Sequence, residues 1–268
     1  MELDFGKKEG IEGLEVKIKT CKSALSKSGL ESDYALNPYT GCSHGCKYCY
    51  APFVLKEVRE WGTFIDVKRN IPKVLANELQ NKADCTVRVG SVTDPYQKIE
   101  EQYKLTRMCL QQLKKKDIHT IIQTKSDLVT RDIDILKEMD VDVGFTITSL
   151  DDEFRKKFEP NAPSVSRRLS ALKRLKNNDI DVWVFIGPLL PYFNEREEEL
   201  FRLSETIASL GVEEIYLDKL NMREGIWKKL EELLSEDMYR DYKEIFSKNN
   251  GYFEGRKSLY EKIGKTVF

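Results

Sequence analysis

The chain has no long hydrophobic run. Its longest apolar stretch, Val182 to Leu190, is interrupted by Gly187 and Pro188 and falls far short of the ~20 residues that cross a bilayer. The start, MELDFGKKEGIEGLEVKIKT, is charged throughout and lacks the apolar core of a secretory leader. The expected location is the cytoplasm, with no membrane partner. Nor is there an internal repeat, a low-complexity tract or a Pro/Gly/Ser linker. An excess of one charge is missing too: 44 Lys plus Arg stand against 45 Asp plus Glu, a net charge of -1. That excludes a globally basic nucleic-acid binder and leaves only a local basic groove open.

What is present suits a folded domain. A compact chain of 268 residues buries roughly 70–75% of its unfolded surface, and 10% aromatic content argues against disorder. From residue 70 onward, amphipathic helices alternate with short apolar strands. The expected helices are Ile71–Lys82, Glu101–Lys116, Thr130–Glu138, Ser166–Asn177, Glu195–Leu210 and Gly225–Leu234. The expected strands are Thr86–Val89, Thr120–Gln123, Val141–Thr146, Val182–Ile186 and Glu214–Leu217. Strands apolar on both faces, alternating with helices, predict right-handed βαβ units and a parallel sheet. Such sheets place ligands at the carboxyl ends of their strands. The polar groups there are Ser91 to Asp94, Thr124 to Ser126, Thr146 to Ser149, Gly187-Pro188 and Asp218-Lys219. Each can be an ordinary cap or turn; their recurrence at successive strand ends points to a shared site.

Three of the six cysteines lie close together in NPYTGCSHGCKYCYAP, residues 37–52, spaced C-x3-C-x2-C. In a reducing compartment such thiols serve as metal ligands sooner than as disulfides. Thiolates select zinc, copper(I) or iron–sulfur centres. Three readings stay open on spacing alone. One is a structural zinc site with His44 as fourth ligand, although His44 is cramped between Cys42 and Cys46. Another is an electron-transfer cluster, which normally takes four Cys, whereas Cys21, Cys85 and Cys109 are isolated. The third is a cluster held by three thiolates, leaving one iron open to a substrate, as catalytic zinc sites leave one position open.

C-x3-C-x2-C with an aromatic residue before the last Cys, followed by α/β alternation, resembles the radical S-adenosylmethionine (SAM) enzymes. Together with GSVTDPYQKIE (90–100), LTR (105–107), TKSDLVTRDIDIL (124–136), EP (159–160) and SRRL (166–169), it is similar to the branch related to spore photoproduct lyase. The resemblance implies a partial (β/α)6 barrel of the TIM type, a [4Fe-4S] cluster and SAM as cosubstrate. The division expected along the chain is an N-terminal extension over 1–36, a core barrel over 37–222 and a C-terminal helical extension over 223–268 packed on the barrel.

Carried over by motif, the resemblance makes Cys42, Cys46 and Cys49 the cluster ligands and Tyr48 a neighbour of cluster and SAM. It gives Thr93, Lys125, Thr146 and Gly187 contacts to SAM. Tyr50 matches a radical-relay tyrosine, and Ser91 stands where the spore lyase has its hydrogen-donating cysteine. An alcohol O–H bond is far stronger than a thiol S–H bond, so Ser91 argues against spore-photoproduct repair. Arg107, Arg131, Asp132, Glu159 and Arg168 complete family motifs, with Arg131 and Asp132 read as a structural ion-pair network. The function implied is reductive cleavage of SAM and hydrogen abstraction from an unidentified substrate, by lyase-like, oxidoreductase or transferase chemistry. An external donor of flavodoxin or ferredoxin type is the implied electron source. The competing readings are a non-catalytic zinc- or iron–sulfur-binding structural or sensor protein and, within enzymes, DNA or RNA repair.

Overall fold

The computed structural model describes residues 13–82, 84–247 and 251–267. Its strands are β1 Glu15–Lys19, β2 Leu25–Lys27, β3 Tyr34–Leu36, β4 Tyr39–Thr40, β5 Phe64–Lys68, β6 Thr86–Val89, β7 His119–Thr124, β8 Val141–Thr146, β9 Asp181–Leu189, β10 Ile215–Lys219 and β11 Lys265–Thr266. The main sheet runs β11-β10-β9-β8-β7-β6-β3-β2. Every neighbouring pair is parallel except β2 with β3. The six consecutive strands β3, β6, β7, β8, β9 and β10 are the expected partial (β/α)6 barrel.

Alternation decides which face each side chain takes. Val87 and Val89, Ile122, Val143 and Phe145, Val184 and Ile186, and Leu217 are fully buried in one core against the helices, each contributing roughly 1.5–3 kcal/mol by its burial. Their neighbours Arg88, Gln123, Thr146, Trp183, Phe185 and Asp218 take the inner face of the arc.

The expected strands and the longer helices are found within a few residues, with two informative departures. The helix expected over Glu101–Lys116 is two, Glu100–Tyr103 and Leu105–Lys114, parted at Lys104, whose φ is 52°. The buried Glu100 carboxylate causes the break by accepting the Thr106 and Arg107 amides at 3.0 and 3.3 Å. It thereby caps the second helix. The helix expected over Thr130–Glu138 is a 3-10 turn, Asp127–Asp132, followed by Ile133–Leu136.

The N-terminal extension contributes strands to both sheets. β2 and β3 join the main sheet, and β1 pairs with β5 beside β4 in a separate three-stranded sheet. At the other end the helices Glu236–Ile245, Tyr252–Gly255 and Lys257–Ile263 lead into β11, which extends the sheet past β10. The helical extension thus ends on a two-residue strand. Its aromatic residues pack inward: Tyr242 and Tyr260 are fully buried, and the Tyr252 and Tyr260 hydroxyls both donate to Glu195.

Candidate functional site

The cysteine loop follows β4 and is held from both sides. Gly41 has φ +90°, and a Cβ there would sit 2.2 Å from the Phe64 carbonyl, so only glycine fits. The Gly41 carbonyl accepts from the Thr93 hydroxyl at 2.6 Å and from the Gln97 amide at 3.1 Å, while Gln97 accepts the Ser43 N–H at 2.8 Å. Opposite, the Lys47 N–H donates to the Phe158 carbonyl at 2.9 Å and the Asn161 N–H to the His44 carbonyl at 3.3 Å.

Cys42 and Cys46 are buried and Cys49 is half-buried; all carry free thiols. Cys49 packs against the groups that contain each of the others. Burial pushes all three thiols up, Cys46 to about 12, with Lys125 pulling against it there. Among the described residues no three His, Cys, Asp or Glu side chains converge tightly enough to hold a single ion. The thiols lie within electrostatic reach of one another and are not drawn to one point. His44 is buried, its Nδ1 3.4 Å from Asp94 Oδ2, and burial lowers its pKa.

Asp94, after β6, organises the next strand end. It accepts from the Thr124 hydroxyl and the Lys125 N–H, both at 2.7 Å. Lys125 is thereby aimed at the cysteine loop. Its ammonium lies 3.9 Å from Glu159 Oε1, beyond hydrogen-bond length, and 5.6 Å from the Tyr48 ring centre. Burial opposes its charge, but Cys46 and Glu159 outweigh that and hold its pKa above the usual lysine value. Three N–H donors are therefore available beside the three thiols.

Glu159 is the hub beneath. It accepts from the Tyr48 hydroxyl, from Thr148 Oγ1 at 3.0 Å and from the Arg168 guanidinium. Arg168 also donates to the carbonyls of Pro163 at 3.0 Å and Thr146 at 3.1 Å. Burial raises the Glu159 pKa, but Arg168 and Lys125 reverse this and hold it at about 2.

The structure brings most of the named site residues to this one end of the arc. Tyr50 is 44% exposed, and its hydroxyl donates to the Ser91 carbonyl, so the two come together. Ser91 Oγ accepts from the Asn37 amide at 2.9 Å, and Asn37 also accepts the Val92 N–H at 3.1 Å. Thr93 is buried and its hydroxyl is engaged by Gly41 and Gln97, which leaves its methyl and backbone for any contact with SAM. Thr146 is buried on the inner face, 3.4 Å from the Gln123 amide. Gly187 lies on β9, where a Cβ would meet the Phe185 ring at 2.2 Å.

Sequence reasoning passed over Asn37, Asp94 and Gln97 as site residues, although each lies inside a quoted motif. Their signal would have been polar side chains flanking the cysteine loop and opening the loop after β6. Arg107, Arg131 and Asp132 form the expected ion-pair network, with Glu100 and Asp134. Cys85, half-buried, directly precedes β6 at the opposite end, and Cys109 is buried among helices. Cys21 is half-buried. His119 pairs with Asp140 and Asp142 at 3.1 and 3.4 Å, a structural role.

Asp218, at the end of β10, has its pKa pushed from 3.8 to about 6 by burial, which Lys219 offsets only in part. The fold thus favours its protonated form. The stability this group contributes is full below 3.8 and is lost as pH rises through about 6. Asp218→Asn is expected to flatten the decline in urea midpoint over that interval. A decline as steep as in the parent chain would place its origin elsewhere.

The family model of the radical SAM superfamily matches residues 36–204. An uncharacterized protein of Methanocaldococcus jannaschii is 38% identical over 180 residues, covering 66% of this chain and 68% of that protein. An uncharacterized protein of Acidianus two-tailed virus is 29% identical over 252 residues, 88% of this chain and 83% of that protein. Among solved structures, spore photoproduct lyase complexed with dinucleoside spore photoproduct superposes with a TM-score of 0.70 at 14% identity, over 94% of this chain and 82% of that one. Streptococcus suis SuiB bound to S-adenosylmethionine gives 0.55 at 13% identity, over 86% and 48%. These structural likenesses speak for the fold. No helix among the described residues is long and apolar enough to cross a membrane.

Proposed function

Because the chain belongs to the radical SAM superfamily and so is a SAM-cleaving radical enzyme, we propose that Cys42, Cys46 and Cys49 hold its [4Fe-4S] cluster and that the facing strand ends hold SAM. The observation that carries this is a fit: three free thiols on a loop held by tertiary contacts, beside a half-buried ammonium that has no hydrogen-bond partner among the described residues. When bound, the cluster and SAM together supply an electron-driven cleavage to methionine and a 5′-deoxyadenosyl radical, which takes a hydrogen atom from the substrate.

The chain's own residues bind, orient and exclude water. Lys125 offers its ammonium to the SAM carboxylate or ribose, held in place by Glu159 and by its own N–H on Asp94. Tyr48 lies beneath Lys125 with its hydroxyl fixed on Glu159. Thr146 and Gly187 line the side where the adenosine lies, and Thr93 keeps the loop closed. Tyr50, tethered to the Ser91 carbonyl, is the residue placed to relay a hydrogen atom; the Ser91 hydroxyl is too poor a hydrogen-atom donor to take the part of a thiol. The spore lyase's substrate is therefore not carried over. Residues 37–222 make up the catalytic core in this reading, and a flavodoxin- or ferredoxin-type donor supplies the electron.

Anaerobic reconstitution followed by reduction with SAM is expected to yield 5′-deoxyadenosine; none from a fully loaded protein would overturn the reading. Lys125→Met is expected to weaken SAM binding by roughly 10- to 100-fold, as loss of a charged hydrogen bond of ~1.5–3 kcal/mol requires. An unchanged SAM Kd would show that Lys125 does not touch it.

A further inference from the structure

The inner face of the arc carries an arginine that makes no hydrogen bond or ion pair among the described residues. Arg88 stands between Val87 and Val89, both fully buried against the helices, so alternation turns it inward. Its Nε is buried and makes no hydrogen bond, and the guanidinium forms no ion pair among the described residues. The other arginines of the interior are all engaged: Arg168 with Glu159, Arg131 with Glu100 and Asp132, Arg107 with Asp132 and Asp134. The residue is half-buried, with Glu31 and Tyr50 acting on it only at a distance, and a buried N–H left without an acceptor carries a free-energy cost. Burial accordingly pulls the Arg88 pKa below the usual arginine value. An entering anion would reverse that penalty, and a planar fork of donors suits an oxyanion.

The surroundings describe the rest of the ligand. Trp183 and Phe185 of β9 and Tyr216 of β10 share the inner face, with Trp183 and Tyr216 edge to face at 5.5 Å. A Cβ at Gly144 would lie 2.2 Å from the Trp183 ring, so the indole lies flat across β8. The Tyr50 phenol lies within electrostatic reach of Arg88 on one side and Asp218 on the other. The same face also carries Asp142 and Asp218, which would repel a string of phosphates.

We propose that Arg88 anchors the single oxyanion, carboxylate or phosphate, of a small substrate whose flat apolar body lies against Trp183, Phe185 and Tyr216. The inference rests on reading this face as the substrate chamber of the radical enzyme, with Tyr50 above it.

The test is calorimetric binding to the intact, cluster-loaded chain, with phenyl phosphate, phenylacetate and the neutral benzyl alcohol as probes. At least one anion is expected to bind more tightly than the alcohol. Arg88→Gln should weaken it by ~tenfold or more, the size of a lost charged hydrogen bond, and Arg88→Lys should restore part of it. Whichever anion binds better identifies the source as phosphate or carboxylate. Thermal unfolding separates this from a structural role: Arg88→Gln removes a half-buried guanidinium that makes no hydrogen bond among the described residues, so its Tm should hold. Anion binding no tighter than the alcohol's, or equally tight in Arg88→Gln, overturns the proposal, as does a lowered Tm with unchanged binding. Binding needs no turnover, so failure to form 5′-deoxyadenosine remains a separate result.

Discussion

Cys46→Ala is expected to lose iron, sulfide and the visible absorption of a cluster, and with them all 5′-deoxyadenosine formation, while the chain stays folded. The fold survives because the loop is held by backbone groups that the substitution leaves alone, including the Lys47 N–H on Phe158 and the His44 carbonyl under Asn161. Removing one sulfur atom leaves a far smaller void than a leucine truncation does. The cluster does not survive, because two thiolates are too few to hold it. Metal and sulfide analysis after anaerobic reconstitution, with circular dichroism for the fold, decides the matter. Cys85→Ala provides the contrast, since Cys85 precedes β6 at the far end of the arc and should retain the full iron content. Retention of the cluster in Cys46→Ala would overturn the ligand assignment.

The largest expected effect on stability is at Glu159. Its carboxylate is fully buried and joins Tyr48, Thr148, Arg168 and Lys125. Glu159→Ala leaves the Arg168 guanidinium, 1% exposed, without its counter-charge. Breaking a buried pair from one side costs ~3–5 kcal/mol, a Tm loss on the order of 10 °C for a domain of this size. Glu159→Gln keeps the shape and some hydrogen bonds, so its loss should be smaller. The pH dependence has a definite sign. The Glu159 pKa is depressed from 4.5 to about 2. Its contribution is therefore present above 4.5 and is lost as pH falls through about 2. Thermal melts of both variants beside the parent chain check the ordering; a Glu159→Ala chain as stable as the parent would mean that Arg168 finds another partner.

Glu159 also shows how far sequence reading reaches. The parallel arc was legible because Val87 and Val89, Val143 and Phe145, and Val184 and Ile186 alternate in short apolar runs between amphipathic helices. The cysteine loop was legible because spacing is local. What could not be read was the pairing of distant charges. β5 was missed because Asp66 interrupts its apolar run; the structure buries Asp66 and neutralises it with Lys19 and Arg59. The break at Lys104 was missed for the same kind of reason, since Glu100 acts on Thr106 and Arg107 only once Arg131 and Tyr39 have fixed its carboxylate. Likewise Glu159 and Arg168 could be matched to motifs, but that they join Lys125 and Tyr48 in one buried network follows only from the closed fold.

The clasp on the cysteine loop has a consequence for how the protein matures. Gly41 and Ser43 are gripped by residues more than fifty positions away, and His44 and Lys47 by residues more than a hundred away. The loop therefore has its shape only after β6, β8 and the segment beyond them have assembled. Zinc fingers gain their fold from the metal, whereas this loop is also shaped by tertiary hydrogen bonds. If the three cysteines hold the cluster as proposed, iron and sulfide would enter a loop whose shape those distant contacts already favour.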